Sequence, residues 1–274
     1  MITTEATPGT PCWLDLGTPD VRAAAAFYGS VLGWEYTPMG GVEAPDDAET
    51  PDGAEGGMFR KDGKTVAGLG SLTEEGARSA WMIYYAVEDA DATTRAVRDA
   101  GGAVRVAPTA LEDWGTMAQY TDPLGGEFAV WQPGRDTGFE LVEEPGSLAW
   151  TELCTTDAAA SREFYGGTLG WWFSEMRMPG GEGLYTLITA GGLPEERMHG
   201  GLMEVGADAL APSGGRPYWH PVFAVTDCDA AAAAVTAHGG TVRTGPVDAE
   251  GVGRLAVCAD PWRADFVVLA PAGN

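Results

Sequence analysis

The chain has 274 residues, of which 45% are hydrophobic and 20% charged, a composition typical of a globular protein with room for two domains. Its formal net charge of −24 repels nucleic acid and anionic lipid, so we expect neither as a partner. No apolar stretch is long enough for a membrane helix, and the first residues lack the pattern of a secretion signal. We therefore expect a cytoplasmic protein that does not bind membranes.

The first half of the chain predicts two similar modules. Residues 10–72 begin with the alternation of a strand over 12–17, continue with a helix that Asp20 can cap, and end in three strand-like stretches. Residues 79–134 follow the same order, with a helix that starts after Asp89 and stops at paired glycines. Each module is therefore predicted as β-α-β-β-β.

The second half repeats the first. Trp13–Asp20 matches Trp150–Asp157 at an offset of 137 residues, and Asp122-Pro123 matches Asp260-Pro261 at an offset of 138. The chain is therefore a tandem duplication of the α+β class built from four βαβββ modules. We predict a first domain at 1–136, a linker at 137–146 and a second domain at 147–274, the latter with modules at about 147–206 and 216–271.

Three motifs at matched positions carry a family resemblance. They are the pairs Phe27-Tyr28 and Phe164-Tyr165, Leu32-Gly33-Trp34 and Leu169-Gly170-Trp171, and the two Asp-Pro turns. In this order they resemble the vicinal oxygen chelate superfamily of glyoxalase I, extradiol dioxygenases, fosfomycin-modifying enzymes and bleomycin-binding resistance proteins. The chain looks most like its two-domain actinobacterial members, some of which belong to polyketide and anthracycline pathways. The resemblance implies two glyoxalase-like domains that form an intramolecular pseudo-dimer, in a monomer or a homodimer.

The resemblance also implies positions for metal ligands, because many members hold a divalent ion inside a cup-shaped sheet. These positions fall at Trp13, Met82 and Ala129 in the first domain and at Trp150, His220 and Val267 in the second. A further position lies near Gly68 and near His199–Gly201. Indole, thioether and methyl groups cannot replace imidazole and carboxylate around such a cation, so we expect no cofactor. The alternative is a divalent metal in the second domain held by His220, His199 and Glu152.

Residues two apart on a strand share one face, and this rule predicts which side chains line the two cups. The first cup would be lined by Trp13, Asp15, Met82, Tyr84, Glu127 and Trp131. The second would be lined by Trp150, Glu152, Tyr218, His220 and Asp265. Aromatic walls with a few polar groups suit a flat, conjugated ligand.

Three functions are compatible with such cups. The leading hypothesis is a metal-independent protein of secondary metabolism that binds bulky aromatic or hydrophobic small molecules of antibiotic or polyketide type. The first alternative is a metal-independent polyketide-tailoring isomerase or cyclase with Asp15 or Glu152 as its acid or base. The second is a metal-dependent glyoxalase- or dioxygenase-like enzyme with its site at His220.

Overall fold

A computed structural model of the protein describes residues 1–39, 56–72, 76–178 and 183–273, except for the side chain of Pro212. The elements of the first half are β1 (Pro11–Thr18), α1 (Val21–Leu32), β2 (Glu35–Pro38), β3 (Gly56–Lys61), β4 (Lys64–Ser71), β5 (Ala80–Ala86), α2 (Ala90–Asp99), β6 (Ala103–Leu111), β7 (Gly115–Thr121) and β8 (Glu127–Pro133). Those of the second half are β9 (Leu148–Thr155), α3 (Ala158–Leu169), β10 (Trp171–Arg177), β11 (Leu184–Ala190), β12 (Gly200–Glu204), β13 (Tyr218–Ala224), α4 (Cys228–Ala237), β14 (Thr241–Ala249), β15 (Gly253–Ala259) and β16 (Asp265–Pro271).

The strands of the described residues form two sheets of eight strands with the same order. One sheet runs β2-β3-β4-β1-β5-β8-β7-β6, and the other runs β10-β11-β12-β9-β13-β16-β15-β14. In both sheets the first strand of a half pairs in parallel with the last strand of its first module, as β1 does with β4 and β9 with β12. The predicted class, α+β with tandem glyoxalase-like domains, is confirmed.

The four helices begin at aspartates, because each carboxylate accepts the backbone N–H of the third helical residue. Asp20, Asp89, Asp157 and Asp227 make this contact at 2.8–3.0 Å. The helices α1 and α3 both end at a glycine in the left-handed region, where φ is 70° at Gly33 and 68° at Gly170. Equivalent caps in the two halves follow from the duplicated sequence.

Contacts divide the described chain into two compact units, and each unit takes one module from each half. Unit 1 comprises Met1–Trp13, Met82–Gly138 and Ala149–His220, and unit 2 comprises Leu14–Trp81, Phe139–Leu148 and Pro221–Asn274. The predicted domain boundaries at 136 and 147 stay a prediction.

Each unit has an aromatic core around one helical tyrosine. In unit 1 the ring of Tyr165 stacks on Trp171 at 5.0 Å between centroids, and in unit 2 Tyr28 stacks on Trp34 at 5.7 Å. The two tyrosines are fully buried, so both belong to the scaffold. No helix among the described residues is long and apolar enough to cross a membrane.

Candidate functional site

Polar side chains of unit 1 meet at Glu152 on β9. Oε1 of Glu152 lies 3.1 Å from Nε2 of His220 on β13, and Oε2 accepts a hydrogen bond of 2.7 Å from the hydroxyl of Tyr185 on β11. The same hydroxyl oxygen accepts a hydrogen bond of 2.9 Å from the indole N–H of Trp150 on β9. We call these four residues the Glu152 network.

The pairing of three strands brings the network together. Glu152 on β9 lies opposite Gly201 on β12, and Gly201 in turn lies opposite Leu187 on β11. Tyr185 is two residues from Leu187 and pairs with Met203. Its ring nevertheless covers Gly201, and the Cβ of any other residue at position 201 would overlap the ring. The absence of a side chain at position 201 therefore allows the Tyr185 hydroxyl to reach Glu152.

Burial and hydrogen bonding determine the charges in the network. Burial raises the pKa of Glu152, but the hydrogen bond and charge of His220, together with the hydrogen bond from Tyr185, lower it by more, so the pKa lies below its usual value. Burial and the charge of Glu152 raise the pKa of Tyr185 well above its usual value. The site therefore holds an ionised carboxylate and a neutral phenol, and Nε2 of His220 carries the proton that it shares with Glu152.

At the family's metal-ligand positions the second half has one metal-ligating side chain, His220, and has Trp150 at the first-strand position. The nitrogen of Trp150 is a hydrogen-bond donor without a lone pair to offer, and both oxygens of Glu152 already accept hydrogen bonds. Ligand atoms of Glu152, Cys154 and His220 do lie within 4.8 Å of one another. A cation shared by these three groups would have to displace the contact between Glu152 Oε1 and Nε2 of His220 and would compete with the Tyr185 hydroxyl for Oε2.

The structure places His199 apart from this group. Its ring lies 5.4 Å from that of Trp171 and 6.2 Å from that of Tyr85, between centroids. Burial lowers the pKa of His199 to about 3, so the imidazole is neutral. His199 is therefore an interior side chain of the aromatic core and does not join His220 and Glu152.

The two remaining residues predicted for the second cup differ in their surroundings. The ring of Tyr218 lies 5.6 Å from that of His220, so Tyr218 borders the Glu152 network. Asp265 lies in unit 2, where its carboxylate forms an ion pair of 2.7 Å with Arg243.

Four of the six side chains predicted for the first cup belong to an apolar cluster in unit 1. Its members are Cys12, Tyr84, Ala86, Ala129 and Trp131, with Ala6, Trp13, Met82 and Met117 packed against them. Trp131 is 8% exposed, and its indole N–H donates to the carbonyl of Asp136 at 2.9 Å. The two carboxylates are not members of this cluster: Glu127 pairs with Arg105 at 2.8 Å, and Asp15 lies in unit 2, opposite Gly68.

Among the residues of the first half that the structure describes, the Glu152 network has no equivalent. Asp15 lies opposite Gly68 as Glu152 lies opposite Gly201, so the strand registers align the two halves residue by residue. Two residues further along, Gly70 corresponds to Met203. Gly70 pairs with Gly56 and Met203 pairs with Tyr185, so Gly56 is the first-half equivalent of Tyr185. Met82 takes the place of His220 at the offset of 138 residues. Only the carboxylate and the tryptophan are common to both halves.

Two residues of this region, Tyr185 and Cys154, are not among those predicted from the sequence. Tyr185 falls in a stretch predicted as a strand, but its contact with Glu152 depends on strand pairing and on Gly201. Cys154 lies two residues beyond Glu152 on β9, and two-residue periodicity from Trp150 through Glu152 is the signal that could have placed it on the same face.

Comparison with known proteins agrees with this architecture. Residues 13–131 match the model of a glyoxalase-like domain, and residues 147–268 match that of the glyoxalase/bleomycin resistance protein/dioxygenase superfamily. The chain belongs to this superfamily. It is 38% identical to CFP32 of Mycobacterium tuberculosis, which carries a provisional glyoxylase name, over 96% of this chain and 95% of that protein.

A second relative and a solved structure extend the comparison. The chain is 36% identical to the anthracycline biosynthesis protein DnrV of Streptomyces peucetius, over 96% of this chain and 93% of that protein. The Mn(II)-bound glyoxalase of Novosphingobium aromaticivorans has the same fold, with a TM-score of 0.63 at 16% identity over 96% of this chain and 82% of that one.

Proposed function

We propose that this protein binds a bulky aromatic or hydrophobic small molecule of polyketide type at the Glu152 network and does so without a metal cofactor. The observation that carries this proposal is the ionised Glu152 carboxylate held between His220 and Tyr185, beside the ring of Trp150. Aromatic faces supply stacking area for a planar guest, and one fixed polar group orients it.

The Glu152 network has surface that a ligand can touch, because Trp150, Glu152 and Tyr185 are half-buried, as is the neighbouring Tyr218. Exposure alone does not distinguish the halves, since Trp13 and Met82 are half-buried too. The polar contacts of Glu152 favour the second half. The anthracycline biosynthesis name of DnrV supports a polyketide-type guest.

A second candidate function is metal-independent isomerisation or cyclisation of such a molecule. The observation that favours it is the Glu152–His220 contact, because a carboxylate fixes the orientation of an imidazole and stabilises its protonated form. Glu152 contacts a histidine, His220. The first-half residue equivalent to His220 is Met82, so the position that would supply a histidine to Asp15 holds a thioether.

Titration with hydroxylated anthraquinones, followed by tryptophan quenching and calorimetry, tests both candidates. Wild-type protein should bind saturably, and Glu152→Gln and Trp150→Leu should weaken binding by roughly ten-fold or more, since each removes a central contact. Asp15→Asn makes the matching change in the first half and should bind as wild type does. Weakened binding in Asp15→Asn alone would instead place the guest in the first half.

Chromatography of the same mixtures separates the binder from the enzyme. A product that forms with wild type and not with Glu152→Gln would show catalysis, whereas unchanged ligand throughout would leave binding as the function. Elemental analysis of the purified protein addresses the metal. One equivalent of a transition metal per chain, lost in His220→Ala, would contradict the metal-free part of the proposal.

A further inference from the structure

We infer that Tyr185 excludes a divalent cation from the Glu152 network and commits Glu152 to hydrogen bonding instead. This inference rests on the metal-free part of the proposed function and identifies the residue responsible. Tyr185 is thereby a positioning residue, which acts through Glu152.

The first argument is steric. The Tyr185 hydroxyl and the ring atoms next to it occupy the space into which a Cβ at position 201 would project. Position 201 lies opposite Glu152 on the neighbouring strand β12, in the stretch where the family resemblance places a metal ligand. The hydroxyl end of the tyrosine therefore lies where a ligand side chain from β12 would begin.

The second argument is the saturation of hydrogen bonds. The Tyr185 hydroxyl donates to Glu152 Oε2 at 2.7 Å and accepts from the Trp150 indole at 2.9 Å. Oε1 of Glu152 faces His220 at 3.1 Å. Nε2 of His220, when it donates to Oε1, has no lone pair for a cation, and the Tyr185 hydrogen bond takes one of the lone pairs of Oε2. Trp150 stabilises the orientation of the tyrosine.

The third argument comes from the duplication. The first half keeps the tryptophan and a carboxylate but has Gly56 and Met82 where the second half has Tyr185 and His220. Tyrosine and histidine are thus present together in the half that has the network and absent together from the other. This covariation within one chain fits a tyrosine whose task is to hold a carboxylate against an imidazole.

Titration with Co²⁺ tests the inference, because protein-bound Co²⁺ gives visible absorption bands in the absence of any catalytic assay. We would compare full-length wild type, Tyr185→Phe, and Trp150→His combined with Tyr185→Phe. The single variant keeps the ring and removes only the hydroxyl, which frees Glu152 Oε2. The double variant adds an imidazole at the family's first-strand position. Trp13→His is the matched control, because the first half has Met82 at the position aligned with His220.

We expect Tyr185→Phe to bind Co²⁺ roughly ten-fold or more tightly than wild type, so that wild type and Trp13→His give no bands at the Co²⁺ concentrations that saturate this variant. The double variant should bind Co²⁺ more tightly still. A folded Tyr185→Phe protein with wild-type Co²⁺ affinity would overturn the inference, as would a one-equivalent Co²⁺ complex of wild type that is lost in Cys154→Ala. Near-UV circular dichroism verifies folding. Anthraquinone binding is measured separately without metal, so failure of the proposed function and failure of this inference give different results.

Discussion

The hydroxyl of Tyr165 on α3 donates a hydrogen bond of 2.9 Å to Oδ2 of Asp122, in the turn between β7 and β8. The tyrosine oxygen also accepts the indole N–H of Trp219 at 2.9 Å. Unit 2 contains the matching trio, in which Tyr28 contacts Asp260 at 3.4 Å and accepts from Trp81 at 3.1 Å. Within each unit, this contact joins a helix from one half of the sequence to an Asp-Pro turn from the other.

Tyr165→Phe should lower the free energy of unfolding by about 1–3 kcal/mol, because it leaves a buried carboxylate oxygen without its donor. Tyr28→Phe removes the longer contact of 3.4 Å and should cost less. Urea denaturation of the two variants measures both quantities. A larger loss in Tyr28→Phe than in Tyr165→Phe would contradict the ranking by distance.

Asp260 should make the protein less stable as pH rises through the mildly acidic range. Burial raises its pKa from 3.8 to about 6, even though the N–H groups of Ala264 and Trp262 and the Tyr28 hydroxyl favour the charged form. Because the folded pKa exceeds the unfolded one, the folded state binds the extra proton, and stability declines between about pH 4 and pH 6.

Asp260→Asn removes this titration. The free energy of unfolding of the variant relative to wild type should rise by on the order of 1–3 kcal/mol between about pH 4 and pH 7. Urea unfolding at each pH measures this difference. The other carboxylates are the same in both proteins, so their contributions to the pH dependence of stability cancel in the difference. A difference that stays constant with pH would show that the carboxyl titrates alike in folded and unfolded chains.

Glu152 should affect the pH dependence of stability in the opposite direction from Asp260. Its pKa is below the usual value, so its contribution to stability is present above the unfolded pKa of about 4.5 and disappears as pH falls through the folded pKa. Glu152→Gln should therefore be less stable than wild type at neutral pH, and the gap should narrow in acid. Thermal unfolding at several pH values checks this, with exposed Glu35→Gln on β2 as the control. A gap that widens in acid would refute the assigned ionisation.

Gly201→Ala should destabilise the protein by about 1–3 kcal/mol, because the added methyl group overlaps the Tyr185 ring in a packed region. Gly70→Ala is the control on β4, since no atom of the described residues lies within 4 Å of a Cβ built there. Denaturation gives the stability, and near-UV circular dichroism reports the displaced tyrosine. Equal behaviour of the two variants would mean that Tyr185 moves away at no cost.

Local patterns in the sequence were enough to establish the architecture. The duplicated motifs, the aspartate caps and the glycine stops are short-range signals, and each predicts an element whose position the structure confirms. Two-residue periodicity also placed Trp150 and Glu152 on one face of β9, since that property belongs to a single strand.

The pairing of distant strands, in contrast, could not be predicted from local patterns. Tyr185 meets Glu152 because of the β11–β12–β9 register and because Gly201 leaves room for its ring, and neither fact follows from the residues next to Tyr185. The same holds for Asp122 and Asp260: the sequence predicts only their Asp-Pro turns, whereas both accept hydrogen bonds from buried tyrosines of the opposite half. Periodicity predicts the face of the strand on which a side chain lies. The contacts of that side chain depend on long-range packing, in which one glycine, such as Gly201, can decide which groups touch.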